Sequence, residues 1–382
     1  MKTKKNILIT IDWFLPGTAS GGPVRSCANF IAHLSQEFNF YVITRNTDYC
    51  SNTPYTSVVS NTWNKQANGA MVYYVGNTNL TVKKLATLFK EKTFDTIYIN
   101  GVYSWYFSIL PLLVFKNHPR VIVAPRGMLN PQAFSVKPLK KRIYIALANT
   151  LGLYAKVCFH ATNAIEKEHA LKLLGTHTSV KIAPNMPRML QTSFTEKDKK
   201  NPTRFISLAR ISPEKGTLKM LKAFLLIDTP VILDIYGPVY DKPYWDSCLS
   251  VIQKLPSCVK ATYKGVASSQ EVPELLKSYH FFMMLSEGEN FGHAILEAFS
   301  AGVPVIISNK TPWLDLEDKN IGWDLDNNNI DLLGKVLKQA CDMSSREYAQ
   351  KSKAAYNFAK QFVNDKQLLK SNKLLFDDVS EN

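Results

Sequence analysis

The stretch SEGENFGHAILEAFSAGVPVIIS, residues 286 to 308, places two carboxylates, Glu289 and Glu297, among small and apolar residues. A carboxylate on a buried face is costly without a ligand or a partner. Glu289-Asn290-Phe291-Gly292 reads as a loop, and the spacing of Ile295, Leu296 and Phe299 predicts a helix over 293–301 that Gly302 ends. A helix start behind a glycine-containing loop offers backbone N–H groups and the positive end of a dipole, which suits an anion. The glutamates cannot serve that anion; they suit the hydroxyls of a sugar or a ribose. A second stretch, LARISPEKG (208–216), follows a predicted strand and carries Arg210 and Lys215. Two fixed cations there suit a diphosphate whose charge rises as it leaves during group transfer. Taken alone, the stretch also reads as a solvated basic turn.

Further candidates lie in the first half. In LPGTASGGPVR (15–25), Gly21 and Gly22 ahead of Pro23 at a helix start let the backbone approach a phosphate or sugar, though the pattern is not a dinucleotide GxGxxG. VAPRGMLNPQAF (123–134) carries Arg126, which can bind an anion but cannot act as a general base at neutral pH. KPLKKRIYIALANTLGLY (137–154) sets Lys137, Lys140, Lys141 and Arg142 ahead of apolar residues. It reads either as a surface helix near anionic lipid or a lipid pyrophosphate, or as a core helix with a basic first turn. Asp324-Leu325-Asp326 has the spelling of a metal-binding DxD but sits in polar GWDLDNNN, so it reads as loop and capping chemistry with no metal implied.

Two alternations of β-branched runs and helical patterns position these residues, the signature of parallel α/β sheets. The first half reads as strands at 7–11, 40–44, 71–75, 96–99, 120–124 and 157–159; the second as strands at 204–208, 231–235, 259–264, 281–284 and 303–307. LQTSFTEKDKKNPTR (190–204) is polar and reads as the linker. From Ser344 to about Leu375 the chain reads as amphipathic helix with a break near Asn364-Asp365. The fold expected is two Rossmann-like domains with parallel sheets facing across a cleft. They are a first domain over 1–190, with a C-terminal helix at 365–382 packing back on it, and a second domain over 200–364; the resemblance given below implies that the first is the acceptor side and the second the nucleotide-sugar side.

A chain of 382 residues with 46% hydrophobic and 20% charged residues fits two soluble domains. The apolar run at the start is interrupted by Asp12 and reads as a first strand rather than a leader, and YFSILPLLVF is too short to span a bilayer. Six scattered cysteines without ligand spacing match a reducing cytosol and argue against structural zinc. Residues 1–190 hold 22 Lys+Arg against 7 Asp+Glu, whereas residues 191–382 hold 24 of each, so the net charge of +15 lies in the first half. An anionic partner is implied: a nucleic acid, a membrane surface or a phosphorylated acceptor.

LARISPEKG followed by SEGENFGHAILEAFSAGVPVI resembles the nucleotide-sugar site of the retaining, GT-B-fold family 4 (group 1) glycosyltransferases, with Glu289 and Glu297 matching the E-x7-E motif. The PRGML, FHATNAIEKE and APN segments extend the resemblance through most of the chain. It implies that Glu297 binds ribose hydroxyls, that Arg210 and Lys215 hold the diphosphate, and that Glu289 with the amides of Asn290, Phe291 and Gly292 meets the donor sugar. Gly21 and Gly22 would line the cleft from the acceptor side. Arg126 stands where many members carry a histidine, which leaves His160 and His293 as the nearby imidazoles.

The reading is a metal-independent retaining hexosyltransferase of surface-polysaccharide (O-antigen or capsule) synthesis. It would use a nucleotide sugar, UDP before GDP, as substrate without a cofactor, and a lipid-linked or oligosaccharide acceptor. It would be cytoplasmic, peripheral on the cytoplasmic face of the inner membrane. The rivals are an epimerase or phosphorylase on the same fold, and a basic nucleic-acid-binding protein. Against the last, no reading helix or aromatic RNA-binding strand is recognisable, so no nucleic-acid partner is expected.

Overall fold

The structure is a computed structural model that describes residues 3–131, 134, 138–189, 193–199 and 201–377. It divides into two compact units, Met1–Met189 with Asp365–Asn382, and Leu190–Asn364. Each is a parallel sheet of buried, β-branched strands, the arrangement that needs both faces covered.

In the first unit the strands are β1 (Asn6–Thr10), β2 (Asn39–Arg45), β3 (Trp63–Lys65), β4 (Met71–Val75), β5 (Thr96–Asn100), β6 (Val121–Ala124), β7 (Val157–Ala161) and β8 (Ser179–Ile182). Their order is β3-β4-β2-β1-β5-β6-β7-β8. Only β3, antiparallel to β4, departs from parallel pairing. β3 and β8 were not legible: Trp-Asn-Lys and Ser-Val-Lys-Ile are short edge strands with half-polar faces.

The second unit has β9 (Thr203–Leu208), β10 (Val231–Tyr236), β11 (Val259–Tyr263), β12 (Phe281–Met284), β13 (Val305–Ser308) and β14 (Gly322–Leu325), ordered β11-β10-β9-β12-β13-β14 and all parallel. β14 corrects the reading of Asp324-Leu325-Asp326 as loop. Asp324 lies on this strand and accepts the Leu316 N–H at 2.8 Å, while Asp326 accepts the Asn328 N–H at 3.0 Å in a local turn.

The expected linker packs on the second unit where it is described. Phe194 packs on Tyr356, Lys197 donates to the carbonyls of Leu276 and Tyr279, and Lys199 to those of Cys341 and Met343. Lys197 and Lys199 thus cap helix and turn carbonyls of the second unit, which composition does not reveal.

Past the helix Ser345–Val363, Asn364 ends one helix and Asp365 caps the next, Lys366–Lys373, by accepting the Gln367 N–H at 2.8 Å. That last helix belongs to the first unit. Asn372 donates to the Pro184 carbonyl at 2.9 Å, Arg120 to the Leu375 carbonyl at 2.9 Å, and Phe376 enters a cluster of Phe30, Phe38, Phe40 and Tyr98 rings. Phe376 is 1% exposed. Phe376→Ala is therefore expected to lower the unfolding free energy of this unit by about 3–5 kcal/mol, the cost of emptying a buried aromatic site. Urea unfolding measures it; a loss below about 1 kcal/mol would show that this segment does not hold the core.

Candidate functional site

β9 is the first strand of the second sheet in chain order. The chain lays β10 and β11 on one side of it, then crosses over and lays β12, β13 and β14 on the other. Loops leaving β9 and β12 therefore diverge at their carboxyl ends, and such a switch point opens a crevice. Arg210 and Lys215 leave β9; Glu289, Asn290, Phe291 and Gly292 leave β12. Residues more than seventy positions apart thus meet at one gap between neighbouring strands.

The gap is bridged by bonds. Lys215 Nζ pairs with Glu289 Oε1, their side chains 18% and 13% exposed, and Ser286 Oγ donates to the same oxygen at 2.7 Å. The Glu287 N–H donates to the Glu214 carbonyl at 2.8 Å. Gly216 has φ of 70°, and a Cβ there would stand 2.0 Å from the Leu285 carbonyl oxygen, so only glycine lets the two loops touch. A second set of pairs flanks the first: Glu287 accepts from Lys219 and from Lys310, the latter at 2.6 Å, and from Asn327 at 3.2 Å. Burial pushes the Glu287 carboxyl up, but the bonds from Lys219 and Lys310 outweigh it and hold it below the usual range. Among the described residues Arg210 makes a loose, exposed pair with Glu214 at 3.6 Å, which leaves its guanidinium able to re-aim. Ser212 Oγ, in the same loop, is buried without a hydrogen-bond partner.

Gly292, with φ of 78°, turns the β12 loop into the helix His293–Ser300 and supplies no side-chain cap. An aromatic clamp holds the loop behind it. Phe291 packs against His293 at 4.7 Å and Trp313 at 5.4 Å, and the Trp313 indole N–H donates to the Phe291 carbonyl. His293 is thus a packed residue. Glu297 is half-buried between the buried Leu296 and Ala298. It lies five residues into the helix, about 7 Å along its axis from Gly292.

The first unit has its own switch point between β1 and β5, because β2 lies on one side of β1 and β5 on the other. The two loops are joined there by Ser104 Oγ donating to Asp12 Oδ1 at 2.8 Å, with Arg45 at 3.6 Å. Asp48 pins the β1 loop by accepting the Thr18 and Ala19 N–H groups at 3.0 and 3.2 Å. Gly21, at φ of 79°, and Gly22 open the helix Gly22–Leu34, and a Cβ on either would meet nothing within 4 Å.

Arg126 follows β6 with φ of 53°. Its Nε donates to Asn100 Oδ1 at 3.0 Å, one terminal nitrogen to Asn185 Oδ1, and the other to the Tyr98 hydroxyl at 2.7 Å. Three of a guanidinium's five N–H groups are so committed, all to neutral acceptors, and its positive charge stays available to an anion. Tyr98, which accepts from Arg126, can donate its own proton to His160 Nδ1 at 2.7 Å; His160 Nε2 then donates to the Ala183 carbonyl at 2.7 Å. This chain requires a neutral imidazole. Burial, and then the Arg126 charge, push His160 down to about 3, so it is a structural member of the network and not a base. The Gly127 N–H is held by Glu166, a buried carboxylate that also accepts from Thr162 N and Oγ1.

Residues 191–358 match the family model described as glycosyl transferases group 1. The chain carries a group 1 glycosyltransferase domain. It is 26% identical over 233 residues to the GDP-mannose:cellobiosyl-diphosphopolyprenol alpha-mannosyltransferase of Xanthomonas campestris, covering 58% of each chain. It is 29% identical over 149 residues to O-antigen chain mannosyltransferase B of Escherichia coli, covering 37% of this chain and 38% of that one. The matches thus span little more than half of one curated relative and under half of the other. Among solved structures, Anabaena HepE in complex with UDP and glucose superposes with a TM-score of 0.70 at 16% identity, over 97% of this chain and 98% of that one. Sucrose-phosphate synthase of Thermosynechococcus elongatus gives 0.72 at 14% identity, over 98% of each. These likenesses show the fold, which is GT-B.

Within this group 1 domain, sequence reasoning missed Ser286, Glu287, Lys219, Lys310 and Trp313, which fix the loops that carry the motif. Asp48, Asp12 and Glu166 do the same in the first unit. Most of their partners come from another strand end, as Glu287 does for Lys219 and Lys310 and Phe291 for Trp313, so spacing along the chain does not signal them. The His160 network gives a measurable consequence. Its pKa is depressed on folding, so its contribution to stability is present above about 6.5, the unfolded value, and is lost as pH falls toward 3. Across that window wild type is expected to lose up to about 1.4 kcal/mol per pH unit more than His160→Gln. Urea unfolding at a series of pH values tests it; parallel curves would place His160 outside a buried neutral site.

Proposed function

We propose that the chain transfers a sugar from a nucleotide-sugar donor, bound at the β9/β12 switch point, to a lipid-linked or oligosaccharide acceptor in cell-surface polysaccharide synthesis. The observation that carries this reading is the convergence of Arg210, Lys215, Glu289 and the start of the His293–Ser300 helix on one strand gap. Both curated relatives are named as mannosyltransferases, one of them acting on a diphosphopolyprenol acceptor.

In this reading Glu297 accepts hydrogen bonds from the ribose, and the amides at 290–292 with Glu289 face the donor sugar. Arg210 and Lys215 stabilise the leaving diphosphate, with the dipole of the helix behind Gly292. The bond from the anomeric carbon to the phosphate oxygen breaks as the bond to the acceptor oxygen forms on the same face, so configuration is retained. The acceptor's proton passes to the departing phosphate. Arg126 supplies a fixed positive charge for an anionic group on the acceptor side, with Gly21 and Gly22 giving that group backbone access. Two protein cations do the work that a metal does elsewhere, so the reaction is metal-independent. The protein works at the cytoplasmic face of the inner membrane; among the described residues no helix is long and apolar enough to cross it.

UDP is the first donor nucleotide to test, because uridine donors are the commonest in families of this kind. A second reading, GDP-mannose, is favoured by the name of the Xanthomonas relative. A thermal-shift screen of UDP- and GDP-sugars assigns the nucleotide, because a bound donor raises the melting temperature by mass action. No shift with any nucleotide sugar would overturn the donor site.

Glu297→Ala is expected to weaken binding of that nucleotide by about 1.5–3 kcal/mol, the scale of charge-assisted hydrogen bonds. Unchanged affinity by calorimetry removes Glu297 from the ribose. Replacing Arg210 or Lys215 is expected to lower kcat more than it raises donor KM, with wild-type activity insensitive to EDTA. Activity abolished by EDTA and restored by manganese would contradict the metal-free account.

A further inference from the structure

The helix Pro138–Thr150 buries only Ile145 and Ala148. It is held by aromatic contacts: Tyr144 packs on Tyr103 at 5.7 Å and shares a 2.7 Å hydrogen bond with the Tyr154 hydroxyl, and Lys141 Nζ stands 5.3 Å from the Tyr103 ring. The outward side is aliphatic where a surface helix should be polar. Leu139, Ile143 and Leu147, four residues apart, and Leu151 one further step on, are 69%, 52%, 55% and 70% exposed. The Leu151 N–H bonds to the Leu147 carbonyl at 2.9 Å, so the helical path carries the stripe to Leu151, about 18 Å in all.

Charge identifies what covers it. Between Asp95 and Glu166 the chain has no acidic residue and eight basic ones. Lys140 and Arg142 are exposed beside the stripe, and Lys156 is exposed just beyond it. Trp105, 49% exposed, stands two residues from Tyr103 and so within about 7 Å of it along the chain. A second copy of this chain fits poorly, because a self-complementary interface would set these cations against their own copies.

We propose that the Pro138–Thr150 helix lies in the headgroup region of an anionic bilayer, with Leu139, Ile143, Leu147 and Leu151 inserted and Lys140 and Arg142 on lipid phosphates. Apolar insertion and basic attraction are each weak; together they give stable yet reversible attachment. This deepens the transferase reading, on which its purpose rests, by delivering the first unit to the surface where a lipid-linked acceptor resides. Lys137, the first of the basic cluster, lies outside the described residues and is not needed.

The test is co-sedimentation with phosphatidylcholine vesicles with and without phosphatidylglycerol, in the absence of any nucleotide sugar. Wild type is expected to sediment with the anionic vesicles only and to be released as salt rises. The quadruple variant Leu139→Gln, Ile143→Gln, Leu147→Gln, Leu151→Gln is expected to lose binding by about ten-fold or more, as is Lys140→Glu with Arg142→Glu. Both variants should melt as cooperatively as wild type, which separates lost binding from lost folding. The proposal is overturned if wild type ignores anionic vesicles, if neutral vesicles bind as well, or if the quadruple variant sediments like wild type. It is also overturned if lipid-free protein dimerises through the stripe, seen as a dimer that the quadruple variant abolishes. Vesicle binding without any donor-induced thermal shift would sink the transferase reading and leave the membrane site; the reverse pattern would do the opposite.

Discussion

The ion pair between Lys215 and Glu289 is the constraint on which the second unit's site depends. One partner leaves β9 and the other leaves β12, so the pair exists only because the chain reverses its direction of strand addition between them. Both side chains are largely withdrawn from water, and removing either leaves its partner's charge uncompensated. Gly216 against the Leu285 carbonyl brings the backbones to contact, and the Lys219–Glu287–Lys310 set holds the outer flank. The Lys215 ammonium is therefore held in place by the protein's own groups, which lowers the ordering cost of binding an anion there.

The first unit solves a similar problem with neutral groups. Arg126 sits in a left-handed backbone conformation, with the Gly127 N–H held by the buried Glu166 and its guanidinium braced by Asn100, Asn185 and Tyr98. Neutral acceptors fix a cation's orientation without cancelling its charge. His160 extends the chain inward, and its imidazole stays neutral because burial and Arg126 both oppose a second positive charge. Arg126 thus comes with a supporting network built from residues of several strands.

Charge and shape divide the labour between the units. The basic excess lies wholly in the first 190 residues, while the second half balances its charges and spends them in pairs at the switch point. The exposed aliphatic stripe falls in the same half as the excess charge and inside its acid-free segment. Burial of apolar area drives folding, so leaving four aliphatic side chains in water at one site costs stability that a partner surface would restore.

The sequence alone determined the alternation of buried strands and amphipathic helices, hence two parallel α/β units, because hydrophobic periodicity is a local property of the chain. It also singled out Arg210, Lys215 and the Glu289–Glu297 spacing as candidates, because they stand in short contiguous runs. Asp324 was misread because an edge strand of four residues carries too few buried positions to outweigh a polar neighbourhood. Composition could not show that Lys197 and Lys199 of the expected linker spend their charge on carbonyls of the second unit. Only the tertiary structure decided that Lys215 pairs with Glu289, that Trp313 clamps Phe291, that Arg126 is braced rather than free, and which face of Pro138–Thr150 stays in water. The first three join residues from different strands, and strand order, like the choice of a helix's buried face, is fixed by packing summed over the whole sheet.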